Sequence, residues 1–556
     1  MSGRLSEQLT SLRAEHTDGS RRSVHSSLAL VVTLGIAAAL RLYRLGAESI
    51  WLDEALAHHH ATTLTTTELL VWLPQRDPNP PLYFLALSEW TALVGDGLVA
   101  MRALSALFGV LAVALVFLVG RRLFDRRAGF AAAAFLAVSP FHVFYGQEAR
   151  MYALLTAAAL ASYLFLLRIE TGGGRVDTVG YVLSTVVLVH THTYGLFVVG
   201  AQALYLLSLS VEGGRAGVYD FLRRWTVPVG VTAVLSTPWI ALLALRVFGG
   251  PGQTAGVESG NAASAVTIPT PGVVSLPTTY LAHWVPLGSL VDGVGVAEIV
   301  ALGGFAVIVL GCLVGLFGSA VRTDRFRTRG GERSEERRLL DIGIAVVRDR
   351  RNRLLLTWAV VPVLVPFVLS YTVTPIFVHR YTIGASLAVA LLAGGGLTRL
   401  ERGHVRYAAV AIVLVGAVAS LPAHYGTDQK EQWREATATV EEEAAPGDLV
   451  IVSTDSATLP YDYHATRGDL VVVPVPEDAT RAAIDEHLDG EHRRVWFVAS
   501  HLTEGQERRY RSVLGEGHTR TETQSFTGVR VYEYVNTASP DASVSDGRRT
   551  TESESG

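Results

Sequence analysis

Two carboxylates, Asp53 and Glu54, stand side by side in the stretch Ser49-Ile50-Trp51-Leu52-Asp53-Glu54-Ala55, directly after a hydrophobic run from Ser26 to Leu45. Charge is costly inside hydrocarbon, so carboxylates at such an edge are either interfacial or functional. Transfer of a glycosyl, acyl or phosphoryl group to a hydroxyl needs a base to take the proton. An acid at the membrane edge can act on a soluble acceptor while meeting a lipid-borne donor. Neighbouring side chains on a helix diverge by roughly 100°. Only one of the pair can therefore point at the acceptor, which leaves the other for a metal, a backbone group or an arginine. The plain alternative is a solvated helix end.

A second group of chemically able residues lies between Phe141 and Tyr152, where Tyr145, Glu148, Arg150 and Tyr152 join two apolar runs. Tyrosines at that depth suit an ordinary aromatic belt, but Glu148 and Arg150 need compensation there. A third is Arg380, followed by Tyr381, at the end of an apolar run. Arginines elsewhere cluster on the other side, so this one violates the orientation bias. A phosphate partner explains it, because guanidinium binds phosphate oxygens bidentately; a structural pair with Asp53, Glu54 or Glu148 explains it equally well. His58, His59 and His60 face three directions on a helix and make a poor single metal site. His190 and His192 can supply one ligand or one hydrogen bond, and Tyr194 follows them.

The elements that position these groups are membrane helices. The 556 residues are 49% hydrophobic and 18% charged, with mean hydropathy +0.32, which fits a polytopic membrane protein rather than a soluble globule. A net charge of -4 argues against nucleic acid as a partner. The lone cysteine, Cys312, excludes a disulfide framework. Lysine occurs once, at Lys430, and the acidic, arginine-based balance is archaeal-like, resembling a halophile.

Runs long enough to span are expected near 26–45, 99–120, 128–146, 151–168, 177–191, 193–211, 226–248, 291–318, 353–372, 381–398 and 404–422, about eleven in all. The run from Pro80 to Val94 is short, opens on two prolines and holds Glu89. Read as an interfacial amphipathic helix, it leaves the arginine clusters at 121–127, 215–224, 322–353 and 399–406 all cytoplasmic. The acidic pair, Asp77, Asn79, Glu148, His192, Tyr194, Arg380 and the loop from Gly249 to Leu290 then share the outer face. That loop carries Tyr280, His283 and Trp284, aromatic side chains suited to sugar faces.

Domain boundaries follow: a cytoplasmic tail over 1–25, a transmembrane domain over 26–422, an extracytoplasmic α/β domain over 423–535 and a disordered tail over 536–556. In the third segment, strands are expected at 449–453, 470–475, 494–499 and 529–535, and helices at 431–443, 480–488 and 506–514. There is no Gly-rich phosphate loop.

Several stretches, in order, resemble membrane glycosyltransferases of the GT-C fold, the family 39-like protein O-mannosyltransferase and aminoarabinose-transferase type. They are Arg41 to Glu54, Asp77-Pro-Asn-Pro-Pro-Leu-Tyr83, Arg102 to Gly109, Ser139 to Tyr152 and the Arg380-Tyr381 turn. Gln432-Trp433-Arg434 and Pro446-Gly447-Asp448 resemble the outer domain of bacterial and archaeal members. One departure is Asn79, where the family commonly has His or Lys before the proline pair.

The resemblance implies a polyprenyl- or dolichyl-phosphate-linked sugar, a hexose such as mannose, as donor. The acceptor would be a hydroxyl of a protein, glycan or lipid. Asp53 would be the base with Glu54 supporting it, and Glu148 a second acid orienting the acceptor or a metal. Arg380, Arg150 and Tyr381 would meet the lipid phosphate, which leaves with inversion at the sugar. Asp77, Asn79, Tyr145, His192, Tyr194, His283 and Trp284 would line the substrates. No particular cofactor is implied, and a divalent metal ion is compatible. The rival class is a transporter or lipid-linked-sugar flippase, which predicts charged or broken helices at the midplane and repeated halves; neither pattern is visible.

Overall fold

The computed structural model describes residues 27–71, 73–75, 77, 79–248, 268–287, 294–327, 335–476, 481, 484, 486–488 and 492–536. The expected tail at 1–25, the expected tail at 536–556 apart from Asn536, which ends a strand, and parts of the 249–290 loop lie outside the described residues. These residues form two compact units, one from 27–45, 65–248 and 268–426, the other from 46–64 and 427–536.

The first unit is helical. Among the described residues eight helices are long and apolar enough to cross a membrane: Leu98–Leu123, Tyr152–Glu170, Gly195–Glu212, Gly214–Arg246, Val296–Gly318, Arg350–Thr372, His379–Leu397 and Gly403–Gly426. The other expected runs are helical but shorter, as Ser27–Leu42, Arg126–Val138 and Arg175–Thr191. Expectation and structure differ most at 128–146. Proline lacks the N–H that continues a helix and disfavours helical backbone at the residue before it. The first helix therefore ends at Val138, and a separate short one runs Pro140–Phe144. Ser139 caps it, its hydroxyl accepting from the His142 amide at 3.4 Å. Pro80 to Val94 yields the helix Leu82–Val94, which buries Tyr83, Phe84, Leu87 and Thr91.

Close helix contacts use small residues. A Cβ added to Gly396 would lie 1.8 Å from the Gly311 carbonyl oxygen, and one at Gly120 would lie 2.9 Å from the Gly129 Cα. Neither pair of helices could approach so closely with larger residues.

The second unit holds a five-stranded sheet: β1 Leu449–Val452, β2 Val471–Pro474, β3 Arg494–Ser500, β4 His518–Phe526 and β5 Val529–Asn536. Their order is β2-β1-β3-β5-β4, with β1 parallel to β2 and β3, and β5 antiparallel to β3 and β4. Alternation along a strand sends neighbours to opposite faces. Leu449, Ile451, Val495 and Phe497 meet Tyr510, Val513 and Leu514 of helix Glu504–Leu514 on one face. Val450, Val452, Trp496 and Val498 meet Trp433, Ala436 and Val440 of helix Trp433–Glu443 on the other. Strand β4 and helix Thr458–His464 were not expected from sequence, and the expected helix at 480–488 lies partly outside the described residues. The same unit contains the acidic stretch, as helix Leu52–Thr63.

Candidate active site

In the helical unit the motif stretches converge. The Arg41 guanidinium is buried, and its two terminal nitrogens donate to the carbonyls of Ala37 (3.1 Å), Ala137 (3.2 Å) and Leu136 (3.3 Å). It thereby serves carbonyls at the end of Arg126–Val138, where positive charge is favoured. A Cβ at Gly109 or Gly146 would lie 2.6 or 3.0 Å from Arg41 Nε, so both positions need glycine for Arg41 to lie where it does. Arg102, also buried, donates to the Leu45 carbonyl at 2.9 Å. Ser105 donates to the Arg150 carbonyl at 3.1 Å and meets the Tyr83 hydroxyl at 3.0 Å.

This framework holds a charged, aromatic cluster. Glu148, Arg150, Tyr145, Tyr152, His192 and Tyr194 are all buried. Arg380, half-buried, donates from Nε to the Tyr152 hydroxyl at 3.2 Å, and its guanidinium lies 5.2 Å from the centre of the Tyr381 ring. Tyr381 is 4.7 Å from the His192 ring and 5.4 Å from Tyr194 between centroids, and Tyr152 stacks on it at 6.1 Å. Glu148, Tyr152, Arg380 and Tyr381 are electrostatic neighbours of Tyr145. Tyr194 fastens the Arg380 turn by donating to the Ile376 carbonyl at 2.6 Å.

His192 has a defined protonation state. Burial, then the charges of Arg150 and Arg380, push its pKa down to about 3, so the imidazole is neutral. Its Nδ1 accepts the Tyr194 amide at 3.0 Å, which places the proton on Nε2. The cluster thus combines two arginines, a neutral imidazole donor, tyrosines and one acid, a set suited to an anionic ligand with a sugar attached.

Other expected residues have different surroundings. Asp77 Oδ1 accepts from the Asn79 amide (2.7 Å) and side chain (3.0 Å), a local turn that Arg246 fastens by donating to the Asp77 carbonyl at 2.7 Å. His283 is buried and shares a 3.0 Å hydrogen bond with Thr382, the residue after Tyr381. Trp284 packs into an apolar cluster with Phe135, Val285 and Ile308. His190 Nδ1 meets the Val186 carbonyl of its own helix at 2.9 Å. Among the described residues no three His, Cys, Asp or Glu side chains converge as a metal site.

Asp53 and Glu54 lie in the first turn of Leu52–Thr63, in the second unit. Asp53 is half-buried, whereas Glu54 is fully buried and accepts from Lys430 Nζ at 3.3 Å. His58 turns edge-on to Tyr463, with centroids 5.0 Å apart. The sequence names Tyr152 and Lys430 but gives neither a role in the site. Tyr152 closes the very stretch that supplied Glu148 and Arg150, and Lys430 carried a signal as the chain's sole lysine.

Residues 78–216, which hold Glu148, Arg150, Tyr152, His192 and Tyr194, match the family model described as dolichyl-phosphate-mannose-protein mannosyltransferase. No curated protein matches the sequence. Among solved structures, the chain is similar to ArnT from Cupriavidus metallidurans bound to undecaprenyl phosphate. Identity is 14%, covering 90% of this chain and 97% of that one, with a TM-score of 0.53. The apo state of the same protein gives 14% identity, the same coverage and a TM-score of 0.50. Fold and matched segment define the class: a multi-pass membrane glycosyltransferase of the GT-C fold. Within that class the matched segment resembles the dolichyl-phosphate-mannose-protein mannosyltransferase family, and the fold resembles that of ArnT.

Proposed function

We propose that this chain transfers a sugar, a hexose such as mannose, from a polyprenyl or dolichyl phosphate to an acceptor hydroxyl at the outer membrane face. The observation that carries the reading is Arg380 against Tyr152, with Arg150 acting on the same His192 and Glu148 on the same Tyr145; all of these but Arg380 lie in the segment that matches a mannosyltransferase family model. The similarly folded Cupriavidus enzyme was solved with undecaprenyl phosphate bound, which supports a lipid phosphate as the leaving group.

In this mechanism Arg380 and Arg150 stabilise the charge that builds on the departing phosphate. The neutral His192 donates from Nε2, and the tyrosines bound the sugar. Phosphate leaves readily, so no strong general acid is needed. Asp53 takes the proton from the acceptor hydroxyl as it attacks, and displacement inverts the anomeric centre. Glu148 orients the acceptor. Glu54, turned onto Lys430, contributes by holding the helix that carries Asp53. The arginine clusters support an N-terminus inside and a second unit outside.

The test is incubation of membranes containing the protein with labelled lipid-phosphate sugars, followed by identification of the product. Label covalently attached to a hydroxyl-bearing acceptor is the expected result. Label moved across the bilayer but still on its lipid would favour the flippase reading instead.

A further inference from the structure

The acidic helix Leu52–Thr63 is not held by its own sequence. Its N-cap, Trp51, gives no side-chain hydrogen bond, and the segment before it, from Gly46, has no regular structure that would fix its direction. Groups that fix it come from a short run more than 370 residues later. Lys430 Nζ reaches Glu54 Oε1 at 3.3 Å, where both side chains are buried. Glu431 Oε2 accepts the Leu52 amide at 3.3 Å and the Trp433 indole N–H at 2.7 Å, while its Oε1 receives His501 Nε2 at 2.8 Å. Arg434 donates to the carbonyls of Ala47 at 3.0 Å and Gly46 at 3.3 Å, and its amide donates to Ser49 Oγ, also at 3.0 Å. Ser49 Oγ meets His464 Nε2 at 3.0 Å.

These contacts act on the helix in a particular way. A carboxylate at the first turn satisfies an amide that has no partner inside the helix. Glu431, from a distant part of the chain, supplies that carboxylate to Leu52. The buried Lys430–Glu54 pair fixes rotation about the helix axis, because Glu54 must face inward. With Glu54 inward, Asp53 is turned by roughly 100° to a half-buried face. The Arg434 contacts fix where the chain enters.

We propose that Lys430, Glu431 and Arg434 form a clamp that sets the direction of Asp53, making them positioning residues for the transfer reaction. The proposal rests on Asp53 being the base. Breaking the clamp lets the first turn rotate or fray, so the acceptor is deprotonated less often while the lipid-phosphate donor, held elsewhere, binds as before. The signature is a fall in kcat with little change in donor KM, reversed by the conservative variant.

The test uses the full-length protein in detergent or vesicles, with labelled lipid-phosphate sugar as donor. Lys430→Met is expected to lower kcat by about 10²-fold, the scale of a small misplacement of a catalytic group, with donor KM within about twofold. Lys430→Arg should recover most of that loss. If Lys430→Met fails to fold, Arg434→Gln provides the same readout with a more exposed side chain. Amide exchange at Leu52–Ala55 should quicken in either variant. Because Lys430 is the only lysine, an amine-reactive reagent followed by mass mapping of the Lys430 peptide, which separates it from the N-terminal amine, reads the clamp in the otherwise native protein. Lys430 should resist modification, and Glu54→Gln should speed it.

Normal kcat in folded Lys430→Met and Arg434→Gln proteins, with Asp53→Asn inactive, overturns the clamp and leaves the base intact. Full activity in Asp53→Asn removes the base and the clamp's catalytic purpose with it. Faster exchange at Leu52–Ala55 would then mark the clamp as structural only.

Discussion

Lys430 Nζ lies 3.3 Å from Glu54 Oε1, with both side chains buried, so the chain's only lysine meets one member of its first acidic pair across 376 positions of sequence. Removing one partner of a buried ion pair leaves an uncompensated charge and typically costs about 3–5 kcal/mol, whereas replacing both with apolar residues is often neutral. Glu54→Gln should therefore lower the melting temperature clearly, and Glu54→Leu combined with Lys430→Met should restore most of it. A thermal melt of the three purified proteins checks this. An unchanged melt for Glu54→Gln would place the pair outside the stabilising core.

The turn that carries Arg380 makes a different prediction. Arg380→Ala removes the guanidinium proposed to meet the leaving phosphate, and transfer should fall far more than expression does. Arg380→Lys should rescue only part, since a point charge cannot reproduce the planar fork. Initial rates per folded molecule are the measurement, and equal rates in wild type and Arg380→Ala would remove the phosphate role.

Glu431 gives the account a pH dependence. Burial raises its pKa, but the His501 hydrogen bond and charge, the Trp433 indole and the Leu52 amide outweigh this and hold it below the ordinary value of 4.5. A carboxyl depressed on folding stabilises the folded state fully above its ordinary pKa. That contribution is lost as pH falls through the folded value. Glu431→Gln should accordingly melt earlier than wild type at pH 7, and the two should converge as the pH drops well below 4.5. A constant gap across that range would show that the carboxylate charge is not what matters.

Much of this architecture was legible because its cause is local. Apolar runs as long as a bilayer requires announce themselves, and eight of the eleven expected runs are helices long enough to span among the described residues. The break at Ser139 was not read because the Pro140 ring lies inside an otherwise apolar stretch. Strand β4 has the sequence His518-Thr-Arg-Thr-Glu-Thr-Gln-Ser-Phe526 and is mostly exposed at the sheet edge. With only one face to cover and polar residues throughout, it gives no alternating apolar signal. Arg380 was legible as a charge that breaks the orientation bias. Its Tyr152 partner and the turn of Glu54 toward Lys430 were not, since each joins residues more than 200 positions apart.

The proposed orientation rests on the arginine clusters and is open to a direct test. On a Cys312→Ser background, a cysteine at the exposed Glu504 should react with an impermeant reagent on intact cells. Reaction only after lysis would place the second unit, and the acidic helix within it, on the inner side.

The most direct measurement is turnover of a purified Asp53→Asn protein with a labelled lipid-phosphate sugar, alongside donor binding. Asparagine keeps the size and hydrogen bonding of aspartate but cannot take the acceptor's proton, and general-base catalysis typically contributes roughly 10²–10⁴-fold. A loss in about that range is expected, with the donor still bound. Near-normal turnover in a folded Asp53→Asn protein would contradict the assignment of Asp53 as the base.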